Sequence, residues 1–313
     1  MGPPLGGFIV TYGQWPWIFW LNIPLGLLTV IATYYLVPQL KNVEVRRLDV
    51  RGYLYTSAAF TTLIIALECL GQAEFLSGII LLTTGVLCAF KTYNHSLRYP
   101  NPLLPFSTLR IDTFRNTIVG GSLFRASINA IPFLLPLLFQ LTFNWSAAQA
   151  GGMVLWVFAG NLAMKPATTW LMKRWGFKRV LIVNGTISFV SMLSLLFINP
   201  GLDYYVIALI LFIGGLSRSL QFSCYNSVGF ADIPQNKMSD ASIIFSIFFQ
   251  FSMSAGVAIA ALLLRASMFW SGNVSLTHSN INVSFIGIAA LIMLSLYDAF
   301  KLKSNAGLKI LLK

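Results

Sequence analysis

Apolar residues fill long windows of this chain, and polar residues gather in the short stretches between them. Setting the runs against the polar breaks predicts spans over 17–37, 52–71, 75–92, 113–142, 150–172, 178–198, 204–226, 240–266 and 282–303. Their lengths suit the ~20 residues that a helix needs to cross a hydrocarbon core of ~30 Å. A membrane barrel would instead alternate apolar and polar positions in strands of about ten residues, so helices are expected throughout. One further apolar stretch, 1–11, reaches only ~17 Å at the helical rise and is expected to be the tail of a helix, not a span.

Composition strengthens this picture. Hydrophobic residues make up 57% of the 313 positions and charged residues 10%, against roughly 25% charge in soluble domains. An all-α, polytopic membrane protein embedded in a lipid bilayer is the expected fold class. The net charge of +12 is not gathered on one solvated face, so nucleic acid is not expected as a partner. Cys69, Cys88 and Cys224 sit singly in apolar runs without ligand spacing and read as small buried hydrophobes. No metal site and no cofactor is expected. Met1 is followed by no basic region or cleavage site, so the apolar start does not read as a signal peptide.

The basic residues orient the spans. Seventeen of the 21 Lys and Arg fall in alternate connections, among them Lys41, Arg46, Arg47, Arg51, Lys91, Arg98, Arg110, Arg115, Lys237, Lys301 and Lys303. Cytoplasmic loops hold such an excess. The C-terminus is therefore expected in the cytoplasm, and the protein in a plasma or inner membrane.

Charges and amides inside the predicted spans are candidate site residues, since polar groups at that depth are costly. Arg125 lies ~18 Å into its helix and shares a stripe with Ser122, Asn129, Pro132, Pro136 and Gln140. Such a stripe suits a wall facing a wet cavity; a structural Arg held by backbone carbonyls is the alternative. Arg218 shares a narrower stripe with Gln221, and its place toward one end of its span also allows snorkelling. Asn161, beside a Lys165 that reads as snorkelling to the cytoplasmic side, and Gln250 beside Ser246, for which hydrogen bonding between helices is the other reading, complete the cavity candidates. His95 and His278 read as solvated histidines. The carboxylates fall in loops or at helix ends apart from Glu68, so no acid suits proton coupling.

The opening residues, "GPPLGGFIVTYGQWPWIFWLNIPLG", carry the most specific pattern. Gly2, Pro3, Gly6 and Gly7 match G-P-x-x-G-G, and Trp15 to Gly26 match W-x-W-I-F-x-x-N-x-P-x-G. The stretch resembles the antiporter motif and following signature of the fourteen-helix drug/proton antiporters of the major facilitator superfamily. "LDVRGYLYTS", "FLLPLLFQLTFNWSAAQAG" and "YNSVGFADIPQNKMSDASIIFSIFFQ" are similar to later blocks of the same family. "MKRWGFKRVL" resembles its cytoplasmic loop motif, which makes Lys173, Arg174, Gly176, Lys178 and Arg179 a gating loop by resemblance, although positive-inside anchoring also explains the charge.

The resemblance implies a facilitator-type helical bundle lacking the first four to four and a half helices of that family. It divides the chain into a remnant of an N-terminal lobe (1–37), a cytoplasmic link with two inserted helices (38–112), a six-helix C-terminal lobe (113–303) and a tail (304–313). It implies secondary active transport, with proton-coupled export of small amphipathic or drug-like molecules. Two alternatives stand beside it: a truncated membrane protein that does not transport, and a membrane-embedded lipid-modifying enzyme. The second would need catalytic His, Asp or Cys clustered at one membrane face, and these are scattered singly.

Overall fold

The computed structural model describes residues 9, 14, 16–36, 48–72, 74–272, 275–304, 306 and 307. Eight long helices follow one another: α1 (Trp17–Leu36), α2 (Val50–Gly71), α3 (Phe75–Arg98), α4 (Asp112–Leu137), α5 (Ala147–Ser194), α6 (Tyr204–Ala231), α7 (Met238–Ser271) and α8 (His278–Phe300). No strand occurs among the described residues. All eight are long and apolar enough to cross a bilayer.

The longest of them counts twice. A straight helix would part residues 160 and 188 by about 42 Å, yet a Cβ on Gly160 would meet Phe212 while Ser188 bonds Ser217, both on α6. The chain therefore doubles back inside α5. It does so at Gly176, whose φ of 74° and ψ of 159° lie where side chains are not tolerated. The two arms correspond to the separate spans expected at 150–172 and 178–198, so the described residues make nine crossings.

Local chemistry fixes the ends. Ser146 opens α5 with a capping box to Gln149, and Thr277 opens α8 with the same device to Asn280. Asp203 caps α6 by accepting from Tyr205 N at 2.8 Å. In α4, Pro132 and Pro136 remove two backbone donors, and the helix loosens into a π-turn at Leu138–Thr142. Phe139 and Phe143 pack there around Trp145, and His278 stacks on Phe143 while reaching the Ile198 carbonyl at 2.8 Å. His278 is thus a packed, bonded residue, not a solvated one.

Helices α4 to α8 share one apolar core, which includes Phe124, Leu134, Met153, Leu181, Phe285 and Ile288. The first arm of α5 touches α6 backbone to backbone: a Cβ on Gly160 would overlap the Phe212 carbonyl, and one on Gly215 the Val157 carbonyl. Helices α2 and α3 form a hairpin that leans on α7 through Phe60, whose ring lies 6.0 Å from Phe248 and 4.8 Å from Phe251. Every described side chain of α1 from Trp17 onward is exposed.

The ends rich in Lys and Arg come together on one side, hereafter the basic face. Lys303 pairs with Asp112 at 3.1 Å, and Gly307 lies against Phe177 and Ala231. Leu104, Phe114, Ile118, Ile233 and Ile244 make a second, smaller core there. At its edge Asp49 caps α2 through Gly52 N at 2.9 Å, and its carboxylate also takes His95 at 2.7 Å and Leu103 N at 3.1 Å. Burial works against the Asp49 charge, but these donors outweigh it and hold the carboxyl below its usual range. His95, expected in solvent, is instead the pin between α3 and the start of α2; its ring also stacks on Tyr99.

Candidate functional site

Arg125 stands thirteen residues into α4, about 20 Å from its start, and only 1% of it is exposed. Its guanidinium donates to the Thr117 carbonyl and to Asn226 Oδ1, each at 3.4 Å, while Nε has no partner. The remaining stabilisation comes from rings: the guanidinium lies 4.7 Å from the centre of Phe245 and 5.5 Å from that of Phe249. A desolvated cation over an aromatic face gains about 2 kcal/mol. No carboxylate among the described residues lies within ion-pair distance of it.

Those two rings belong to a ladder. Phe114, Phe230, Phe245, Phe249 and Phe222 follow one another with centres 5.2 to 6.1 Å apart, running between α4, α6 and α7. The sequence carried no sign of it, because phenylalanine in an apolar span looks the same whether it faces lipid or a neighbour.

Behind Arg125 three separate groups of polar contacts step toward the basic face. Thr117, whose carbonyl holds the guanidinium, donates its hydroxyl to the Tyr225 carbonyl at 2.9 Å. The Tyr225 hydroxyl meets Ser295 Oγ at 2.7 Å. One turn further along α8, Asp298 Oδ2 accepts from Asn116 Nδ2 at 2.7 Å and from Gly120 N at 3.1 Å. Asp298 was set aside in the sequence as a helix-end carboxylate. Ser295 and Asp298, three apart and hence on one helical face, were the available signal.

The other candidates fall in several places. Asn129 donates to its own helix at the Arg125 carbonyl, 2.8 Å away. Gln221 is locked between the second arm of α5 and α6: it accepts from Asn184 at 2.9 Å and donates to the Leu181 carbonyl at 2.9 Å. Asn184 also reaches the Ser217 carbonyl at 2.8 Å, and sequence reasoning missed its role. Asn161 is half-buried, while Gln140 and Gln250 are exposed and touch neither Arg125 nor Arg218 through any hydrogen bond.

Arg218 departs from the expected depth. Its helix continues to Ala231, beyond the expected end at 226, so Arg218 sits about 20 Å from either end of α6. Snorkelling from mid-depth does not explain it. It lines a cleft with Ser188, Ser191 and Gly214.

Around Gly176, Lys173, Arg174 and Arg179 are exposed, Lys178 is half-buried, and Arg174 lies over the Trp170 ring at 5.4 Å. Gly2, Pro3, Gly6 and Gly7 lie outside the described residues. No cluster of three or more His, Cys, Asp or Glu side chains able to hold a metal occurs among the described residues.

Comparison with known proteins agrees with this architecture. Residues 1–257 match the Major Facilitator Superfamily. The chain is 32% identical over 291 residues to MdtD of Escherichia coli O157:H7 (strain EC4115 / EHEC), a protein whose name provisionally assigns it to multidrug resistance. That match covers 91% of this chain and 60% of the relative. The similarly named protein of Pectobacterium carotovorum subsp. carotovorum (strain PC1) is 32% identical over 269 residues, covering 84% of this chain and 57% of the relative. The chain thus spans about 60% of the length of the curated relatives it matches. Nine apolar crossings, a basic two-armed turn at Gly176 and a family match over most of the sequence leave one assignment: this multi-pass membrane protein belongs to the Major Facilitator Superfamily.

Proposed function

We propose that the chain is part of a secondary transporter that exports small amphipathic or drug-like molecules across a plasma or inner membrane against an inward flow of protons. The observation that carries this is the Arg125 site: a guanidinium at mid-depth, held by two rings and two weak hydrogen bonds and facing no carboxylate among the described residues. A purely structural cation would be expected to satisfy more of its donors than two bonds at 3.4 Å do. An aromatic ladder with one cation offers an amphipathic molecule both an apolar bed and a polar anchor. The names of the MdtD relatives point the same way.

In this proposal the basic face and the C-terminus are cytoplasmic, α2 and α3 are the inserted pair, and α4 to α8 with both arms of α5 form the C-terminal lobe. Arg125, Asn129, Gln140, Asn161, Arg218, Gln221 and Gln250 remain the cavity candidates. The turn carrying Lys173, Arg174, Gly176, Lys178 and Arg179 acts as a gating loop, and Gly2, Pro3, Gly6 and Gly7 as an antiporter motif. Asp298 is the carboxylate proposed to take the proton: it holds Asn116 and Gly120 of the helix that carries Arg125, and it lies one turn along α8 from Ser295, which bonds the Tyr225 hydroxyl.

The test is proton-driven efflux of a fluorescent lipophilic compound from cells expressing the protein. Arg125→Ala is expected to cut efflux strongly at unchanged membrane abundance, while Arg265→Ala leaves it intact. Equal efflux from both variants would remove Arg125 from the transport site.

A further inference from the structure

Arg218 presents a problem that Arg125 does not. Both guanidiniums sit at mid-depth, but Arg125 has a carbonyl, an amide oxygen and two rings. Arg218 has no hydrogen bond, ion pair or ring contact among the described residues. Arg218 is half-buried; a guanidinium keeps its charge at neutral pH, and at that depth it is stabilised by a partner of opposite charge, by carbonyls or by water.

The cleft that Arg218 lines has the size and the chemistry to supply one. Its free volume is about 30 Å³, more than the roughly 10–15 Å³ that a water-sized occupant needs. Apart from Arg218, its polar lining is Ser188 and Ser191; Phe124, Ile128 and Met192 are among the apolar walls. The Ser188 hydroxyl is committed to Ser217, which itself donates to the Asn184 carbonyl at 3.0 Å. The Ser191 hydroxyl has no partner among the described residues. A side chain at Gly214 would begin 2.8 Å from Ser191 Oγ, so the glycine keeps the space beside that hydroxyl open.

We propose that this cleft is a small-anion site, filled by chloride held between the Arg218 guanidinium and the Ser191 hydroxyl. The Arg218 guanidinium and the Ser191 hydroxyl, both without a described partner, line it together, and the rest of the lining is largely apolar. That combination suits a monatomic anion, which accepts from donors and makes no demand for acceptors. A water there would answer the donors but leave the guanidinium charge unbalanced, which an anion does not. So small a volume, about 30 Å³, suits a monatomic ion better than a carboxylate or phosphate with a body attached. Chloride would neutralise α6 at mid-depth and tie it to the second arm of α5.

The experiment uses the full chain in detergent micelles at fixed ionic strength. Thermal unfolding is followed in sodium chloride, sodium bromide and sodium gluconate, whose large anion cannot enter. The unfolding midpoint is expected to rise saturably with chloride or bromide and not with gluconate, as binding to the native state requires. Arg218→Gln should abolish the response. Ser191→Ala should raise the half-saturating chloride concentration about tenfold, the loss of one hydrogen bond to a charged group. Ser191 has no other described partner, so this variant keeps the test open where Arg218→Gln does not fold. Bromide-soaked crystals should show an anomalous peak within hydrogen-bond reach of Arg218. Equal midpoints in the three salts, an unchanged response in Ser191→Ala, or a cleft without bromide would overturn the proposal.

Discussion

The backbone N–H of Gly120, inside α4, donates to Asp298 Oδ2 on α8 across 3.1 Å, joining positions 178 residues apart in sequence. A Cβ at Gly120 would lie 2.7 Å from that oxygen and 3.2 Å from the Tyr225 hydroxyl. The carboxylate can approach the helix only because the residue there has no side chain.

Gly120→Ala is therefore expected to destabilise the protein by about 1 to 3 kcal/mol, the usual cost of overpacking a filled site. Asp298→Ala should cost a similar amount by leaving Asn116 and the Gly120 N–H without their acceptor. In the double variant the losses should fall short of the sum, since each removes the same contact. Denaturant unfolding in micelles measures all three, and strict additivity would show that the two residues act independently.

At Arg125, Lys is expected to be a poor replacement. The fork that reaches Thr117 and Asn226 while sitting 4.7 Å from the centre of the Phe245 ring is a property of a planar guanidinium. Arg125→Lys should lose most of the efflux that Arg125→Ala loses. Recovery of wild-type efflux by lysine would reduce the requirement to charge alone.

Acid should loosen the α2–α3 hairpin at Asp49. Its carboxyl is held below the ordinary value of 3.8, so its stabilising effect is present in full above that value and is lost as pH falls through the lowered one. The gap in unfolding midpoint between the native chain and Asp49→Asn should be constant from neutral pH down to about 4 and shrink in stronger acid. A gap that widens on acidification would reverse the sign and refute the linkage.

Gly176→Ala tests the fold-back in α5. At φ 74° and ψ 159° a side chain costs about 1 to 3 kcal/mol, although no atom lies within 4 Å of the would-be Cβ. The loss should therefore appear as strain, with Gly176→Asn no better than alanine. Unchanged unfolding in both variants would mean that the turn tolerates side chains.

Orientation can be read with single cysteines in a background lacking Cys69, Cys88 and Cys224. Ser146 and Ser271, both exposed and away from the basic face, should label with an impermeant thiol reagent added outside the cell, whereas Ser304 should not. Labelling of Ser304 from outside would invert the proposed topology.

Much of the fold was legible because hydrocarbon thickness sets run length, and run length is a property of sequence alone. The ends were less so: α3 continues to Arg98, α6 to Ala231 and α7 spans Met238–Ser271, each past its apolar run. Hydropathy reports transfer into lipid, whereas a helix ends where its hydrogen bonds do. That difference put Arg218 too shallow. Arg125 stood out because a charge in an apolar run needs no partner to be noticed. Asp298 and the phenylalanine ladder did not, since their meaning lies in the helices they meet, and no local pattern records those.

The backbone crossing that Gly160 and Gly215 make possible has a mechanical consequence. It falls near the middle of the first arm of α5 and of α6, and backbone meets backbone with no side chain between them. Two rods pressed together at one point resist sliding but can scissor. Tilting one about that fulcrum sends its two ends in opposite directions by similar amounts, so an inward swing on one side of the bilayer is geometrically an outward swing on the other. Larger residues at the crossing would add a cushion that absorbs the tilt as side-chain rearrangement; glycine transmits it.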